Sequence, residues 1–225
     1  MLIYAHRGAS KDFPEHTREA YLAAIEQGTD GFECDLRLTK DRELICWHDS
    51  DTFRATGRKV NISSATFDEL TFAKPLLFSE LFRMAYEGGK HLALETKHPV
   101  KTGGAVEREL FRLISDSHLT KDRINIDVMS FSKLAVNRTI RAGFSAVNLI
   151  HNNFGGFGNR AQIIGPGLHL IKKRPEIVTR AKQAGKKVYI WTVNEDQDVK
   201  YCADLGVDAI MSDNPAQARK ALGYS

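Results

Sequence analysis

Gly31-Phe32-Glu33-Cys34-Asp35-Leu36-Arg37-Leu38 runs through Thr39-Lys40-Asp41-Arg42-Glu43 and returns along Leu44-Ile45-Cys46-Trp47 to His48-Asp49. Strand-forming residues dominate both arms, and Lys40-Asp41-Arg42 is a tight polar turn between them. In a strand, side chains two apart leave the same face, so Glu33 and Asp35 point together. A hairpin would bring His48 back beside them. Two hard oxygen ligands next to an imidazole suggest a divalent cation and a proton carrier.

Working outward, short apolar runs alternate with helix-period segments. Strands are expected at 2–5, 31–35, 91–97, 123–129, 145–150, 167–171, 187–192 and 208–211. Helix signals fall between them. Thr17 stands at an N-cap with Gly28 as the stop, Pro175 opens a helix that Gly185 closes, Asn194 and Gln197 resemble a capping box, and Asn214-Pro215 starts the last helix. Residues 50–75 lack periodicity and form an excursion over one end of the domain. The glycine-rich run from Asn152 to Asn159 makes a weak crossover, loop with at most a short helix. Eight strands, each followed by a crossover, point to an α/β (β/α)8 barrel with a small insertion (about 50–75) after the second strand. An open doubly wound sheet is disfavoured because no glycine-rich fingerprint follows strand one.

The chain has 225 residues, 42% of them hydrophobic, which is enough for one barrel domain spanning 1–225. A formal charge of +4, with Lys and Arg scattered among Asp and Glu, argues against a nucleic-acid surface. Cys34, Cys46 and Cys202 have no zinc-type spacing and suit reduced thiols. Leu2-Ile3-Tyr4-Ala5 is too short for a signal-peptide core, and no long apolar segment occurs. A soluble cytoplasmic protein without stable membrane insertion is the expectation.

In such a barrel the site lies at the C-terminal ends of the strands. There the sequence places His6-Arg7, Glu33 and Asp35, Glu95 and Lys97, Trp191 to Asn194, and Ser212-Asp213, with His48 brought to the same rim by the hairpin. Singly, each has a bland explanation: salt-bridge partners, a structural histidine, a core tryptophan, or helix-entry residues at Glu15 and Thr17. Their coincidence on neighbouring strand ends does not. Glu33, Asp35 and Glu95 make an all-oxygen nest for Mg²⁺ or Ca²⁺ rather than Zn²⁺. Arg7 offers a planar fork for a phosphate, and Lys97 adds a point charge. Two histidines can serve as base and acid in a displacement at phosphorus. A glycosidase needs its carboxylate pair but no adjoining Arg and paired His. Phosphodiester cleavage fits best.

This ordered set resembles the glycerophosphodiester phosphodiesterase family over nearly the full length. His6-Arg7-Gly8, Pro14-Glu15-His16-Thr17 (with His16 in place of the family Asn), Glu33-Cys34-Asp35, His48-Asp49, Glu95-Thr96-Lys97, Trp191-Thr192-Val193-Asn194 and Ser212-Asp213-Asn214-Pro215 carry the resemblance. It implies metal-dependent hydrolysis of a small glycerophosphodiester to an alcohol and glycerol 3-phosphate. Glu33, Asp35 and Glu95 would hold one divalent cation, and His6 and His48 would act as general acid and base. Arg7, Lys97 and Trp191 would bind substrate, with Glu15 and Asp49 in support. The same chemistry on lysophospholipids, with Phe53, Phe67 and Phe72 lining an acyl groove, is one alternative; a non-catalytic phosphate-binding barrel is the other. The preferred ion, the alcohol and the oligomeric state are not encoded legibly.

Overall fold

The computed structural model describes residues 1–117, 123–151 and 160–224. In chain order its elements are β1 (Leu2–His6), α1 (Arg18–Glu26), β2 (Gly31–Leu38), β3 (Leu44–Cys46), α2 (Phe53–Thr56), α3 (Phe67–Leu70), β4 (Leu76–Leu77) and α4 (Phe78–Gly88). They continue with β5 (His91–Thr96), α5 (Ala105–Asp116), β6 (Ile126–Ser130), α6 (Lys133–Arg141), β7 (Ser145–Ile150) and β8 (Ile163–Pro166). The last are α7 (Leu168–Lys173), α8 (Glu176–Gln183), β9 (Lys187–Ile190), α9 (Asp196–Asp204), β10 (Ala209–Ser212) and α10 (Pro215–Ala221). Strands β1, β10, β9, β8, β7, β6, β5 and β2 pair in that order, and β1 pairs with β2 to close the ring. All eight pairings are parallel, so this is a closed (β/α)8 barrel.

Alternation along β2 separates two environments. Phe32, Cys34, Leu36 and Leu38 pack under the helices with Tyr21, Leu81 and Leu110, whereas Glu33, Asp35 and Arg37 take the other face. The barrel interior is filled by Tyr4, Ala93, Met129, Val147, Tyr189 and Met211. β3 returns antiparallel to β2 with Leu36 opposite Cys46, and β4 adds to β3. The excursion between β3 and β4 carries its own small core of Ile45, Ile62, Ala65 and Leu70. Asp41 and Arg42 are turn residues, as the sequence indicates; Asp41 also accepts from the Phe67 N–H, which ties the turn to the excursion. All three cysteines are buried and free. Among the described residues no helix is long and apolar enough to cross a membrane.

The structure corrects two local expectations. The sixth strand is Ile163–Pro166, and residues 168–171 of the expected strand (167–171) lie in α7. Leu170 and Ile171 are buried there while Lys172 and Lys173 are exposed, so an apolar run of helical character reads like a strand. Asn194 caps nothing: α9 begins after Glu195, and the Asn194 side chain instead donates to Asp213 Oδ2 and accepts from the Asp213 N–H. Thr17 and Asn214 do cap α1 and α10. The weak crossover from 152 to 159 lies outside the described residues.

One buried ion cluster secures the loop after β5. Glu107 on α5 is fully buried, 2.5 Å from His98 Nε2 and 3.1 Å from Arg138 Nε. Burial pushes this carboxyl up, but His98 and Arg138 outweigh it and hold it below the ordinary Glu value. Its contribution is therefore present above the unfolded-state pKa and lost as pH falls through the folded one. Glu107→Ala is expected to cost about 3 kcal/mol, because it removes a fully buried carboxylate and strands the half-buried His98 and Arg138. Chemical denaturation at pH 7 checks this; a loss under 1 kcal/mol would refute it.

Candidate active site

The parallel register builds the site. Asp35 lies directly across from Glu95, and His6 across from Glu33, so strand ends β1, β2 and β5 place all four on one rim. Ligand oxygens of Glu33, Asp35 and Glu95 lie within 4.8 Å of one another, and all three residues are buried. Backbone conformation at the rim is unusual. Arg7 has φ 61° and His16 φ 60°, both left-handed, and the His16 N–H donates to the Arg7 carbonyl at 2.9 Å. Gly8 follows at φ 86°, and a Cβ there would meet the Ala20 Cβ at 2.6 Å, so only glycine lets α1 approach this close.

Asp35 is the hub. Its Oδ2 lies 3.0 Å from His16 Nε2 and 3.1 Å from Arg7 Nε, and its Oδ1 lies 3.1 Å from Lys97 Nζ. Lys97 also pairs with Glu95 Oε1 at 2.9 Å. Burial alone would raise the Asp35 carboxyl, but the His16 hydrogen bond and the Lys97 charge hold it well below the carboxylate range. The other two carboxyls go the opposite way. Burial, then the charge of Asp35, pushes Glu33 up to about 8 and Glu95 up to about 7. Two buried carboxyls raised by burial and by the charge of a third are an oxygen donor set short of positive charge, which is what a hard divalent cation supplies. The residues therefore fit such an ion. Arg7 Nε is buried and makes no hydrogen bond, since Asp35 stands within ion-pair distance at a poor angle.

Each imidazole leans on a carboxylate. His6 Nδ1 lies 2.6 Å from Asp213 Oδ1, and Asp213 also accepts from Ser10 Oγ and Asn194 Nδ2. Burial opposes ionisation of Asp213, but the His6 contact prevails and lowers it to about 2. As an ionised acceptor it receives the Nδ1–H hydrogen bond, and Nε2 stands on the Glu33 side, 3.9 Å from its Oε2. His48 repeats the pattern, Nδ1 lying 2.8 Å from Asp49 Oδ1. Burial, with the charges of Lys97 and Arg7, holds His48 below the ordinary imidazole value. Arg37 grips the His48 carbonyl through Nε and Nη2, at 2.9 and 2.7 Å. Arg54 bridges Asp49 and Glu15, and Glu15 in turn pairs with Arg7 at 3.0 Å.

His6, Arg7, Glu33, His48, Glu95, Lys97 and Trp191 line one cavity of about 170 Å³, whose apolar wall is Met129, Phe131, Leu149 and Met211. Trp191 is held by its Nε1–H donating to the Gly165 carbonyl and stands edge-on to Phe131. Asp35 lies behind the cavity wall, and Glu15 and Asp49 support from outside it. The phenylalanines suspected of forming an acyl groove do not line it. Phe53 is exposed, Phe67 packs on the excursion's core, and Phe72 lies under Arg58. Sequence reasoning missed Arg37, Ser10 and the full role of His16, and it named Asp213 without its task.

A parallel barrel with a carboxylate triad and two buttressed imidazoles at its C-terminal rim defines a phosphodiesterase-type hydrolytic centre. Residues 6–143 and 157–217 match the glycerophosphoryl diester phosphodiesterase family, and the chain belongs to that family. A probable glycerophosphodiester phosphodiesterase 1 of Mycobacterium tuberculosis is 32% identical, covering 98% of this chain and 92% of its own. A glycerophosphodiester phosphodiesterase of Caldanaerobacter subterraneus is 28% identical, with coverage of 95% and 94%. Among solved structures, an Oleispira antarctica phosphodiesterase in complex with the product sn-glycerol 3-phosphate superposes with TM-score 0.90 at 20% identity, covering 99% and 97%.

Proposed function

We propose that this chain is a glycerophosphodiester phosphodiesterase, releasing an alcohol and glycerol 3-phosphate, with Glu33, Asp35 and Glu95 holding one divalent cation, Mg²⁺ or Ca²⁺. The observation that carries the reading is the convergence of Glu33, Glu95, two imidazoles and two cationic side chains on a single cavity, with Asp35 within ligand reach of both glutamates. When bound, the cation supplies Lewis-acid polarisation of a phosphoryl oxygen and of the attacking hydroxyl. Arg7 and Lys97 bind the phosphoryl oxygens and steady the charge that grows on them. One imidazole accepts the proton of the attacking glycerol hydroxyl and the other protonates the leaving alcohol, each through Nε2, since Asp213 and Asp49 engage the Nδ1 atoms. Water then opens the resulting cyclic phosphate to glycerol 3-phosphate. Trp191 and its apolar neighbours pack the carbon face of the glycerol unit.

A second cavity of about 530 Å³ shares His6 and Arg7 with the first and is further lined by Ser10, Lys11, Phe13, Glu15 and Arg54. It suits the leaving alcohol. We read residues 1–225 as one catalytic unit, and the unpaired buried thiols support a cytoplasmic setting. The lysophospholipid alternative has a human relative, a lysophospholipase D at 24% identity, but lacks the acyl groove first envisaged. The test is release of glycerol 3-phosphate from glycerophosphocholine, with and without a chelator, beside choline release from a lysophosphatidylcholine. Turnover that chelator abolishes and added Mg²⁺ or Ca²⁺ restores is the expected result. Full activity in chelator would sink the metal role, and turnover confined to the lysophospholipid would sink the substrate assignment.

A further inference from the structure

His16 is buried at 4% exposure in a left-handed backbone position, yet nothing in the chemistry above uses it. Its ring spans two elements. Nε2 lies 3.0 Å from Asp35 Oδ2, and Nδ1 lies 3.0 Å from Tyr21 Oη on α1. The Tyr21 hydroxyl in turn donates to the Glu33 carbonyl at 3.2 Å, and Tyr21 is itself fully buried against Phe32. A closed relay therefore runs from the backbone of one triad residue, through α1, to the carboxylate of another.

The position of this relay matters more than its individual bonds. Asp35 has two oxygens, and His16 pins Oδ2 while Oδ1 faces Lys97. A carboxylate fixed at one oxygen cannot turn its plane, so the other is presented to the triad in one orientation. Arg7 contributes charge at Oδ2 without hydrogen-bond geometry, which leaves His16 as the group that sets the angle. We propose that His16 and Tyr21 are a positioning pair that fixes the Asp35 carboxylate and thereby sets the affinity of this chain for its divalent cation. The proposal rests on the metal assignment above. Partners of metal ligands typically change affinity 10–100-fold when removed.

Calorimetric titration of Mg²⁺ and Ca²⁺ into the full chain tests it, alongside melting curves with and without cation. His16→Ala is expected to weaken binding by about 10–100-fold. Tyr21→Phe keeps the packing and removes only the hydroxyl, and is expected to weaken binding by about two- to tenfold, the worth of one hydrogen bond. In the double variant the Tyr21→Phe effect should vanish, because the relay is already broken. A purely structural role would lower the cation-free melting temperature while leaving the binding constants and the cation-induced rise in melting temperature as in wild type; that result overturns the proposal. If His16→Ala does not fold, Tyr21→Phe decides on the same readout. Wild type that binds no divalent cation would remove the metal assignment and this proposal together, whereas wild type that binds, with both variants unchanged, removes this proposal alone.

Discussion

His48→Ala is expected to lower kcat on a glycerophosphodiester by about 10²–10⁴-fold, the usual worth of a positioned general acid or base. KM should change little, because phosphate binding belongs to Arg7, Lys97 and the triad. The size of the effect follows from how rigidly the ring is placed. Arg37 holds its backbone carbonyl with two hydrogen bonds, Asp49 holds Nδ1, and Arg54 holds Asp49. Two approaches thus fix where Nε2 points, and water has no equivalent way of delivering a proton there. The side chain is about a third exposed, so its loss should leave the melting temperature nearly unchanged. Steady-state kinetics on a folded variant separates these quantities. Unimpaired kcat would refute the two-histidine mechanism, and a rise in KM alone would reassign His48 to binding.

The parts of this molecule legible in the sequence were those with a short period or a fixed topology. Two-residue alternation put Glu33 with Asp35, barrel topology put Glu95 beside them, and the polar turn Lys40-Asp41-Arg42 returned His48. The sixth strand was hidden because Gly165-Pro166 reads as a loop, while the helical run at 168–171 is as apolar as a strand. Arg37 carried no signal, since its position fits any polar face of a hairpin and its target is a carbonyl that only the folded turn supplies. Asn194 gave a false one: a residue of capping type three before Gln197 looks the same whether it caps a helix or holds Asp213. His16 was legible as a departure from the family pattern, but its contacts with Tyr21 and Asp35 arise only when α1 docks on β2. The readable features depend on local spacing. The unreadable ones depend on tertiary partners.

Substitutions within the triad should divide into two behaviours, although the three carboxylates look alike in sequence. Asp35→Asn removes the single charge that His16, Arg7 and Lys97 share at 3.0–3.1 Å. It is expected to cost about 3–5 kcal/mol of folding stability, the range for stranding buried charge. Glu33 is in the opposite position. Burial and Asp35 raise it to about 8, so in the cation-free protein its ionisation opposes folding. A raised carboxyl stabilises fully below its unfolded pKa, and that contribution fades as pH climbs toward the folded value. Glu33→Gln therefore imitates the favoured neutral form, and at pH 8 without cation it should melt no lower than wild type. Both variants should lose the turnover that added cation supports, since each deletes an anionic oxygen from the triad. Melting curves in chelator, set beside turnover in excess Mg²⁺ or Ca²⁺, test the division. Equal destabilisation by the two substitutions would show that Asp35 is not the hub, and cation-supported turnover in Glu33→Gln would remove Glu33 from the metal set.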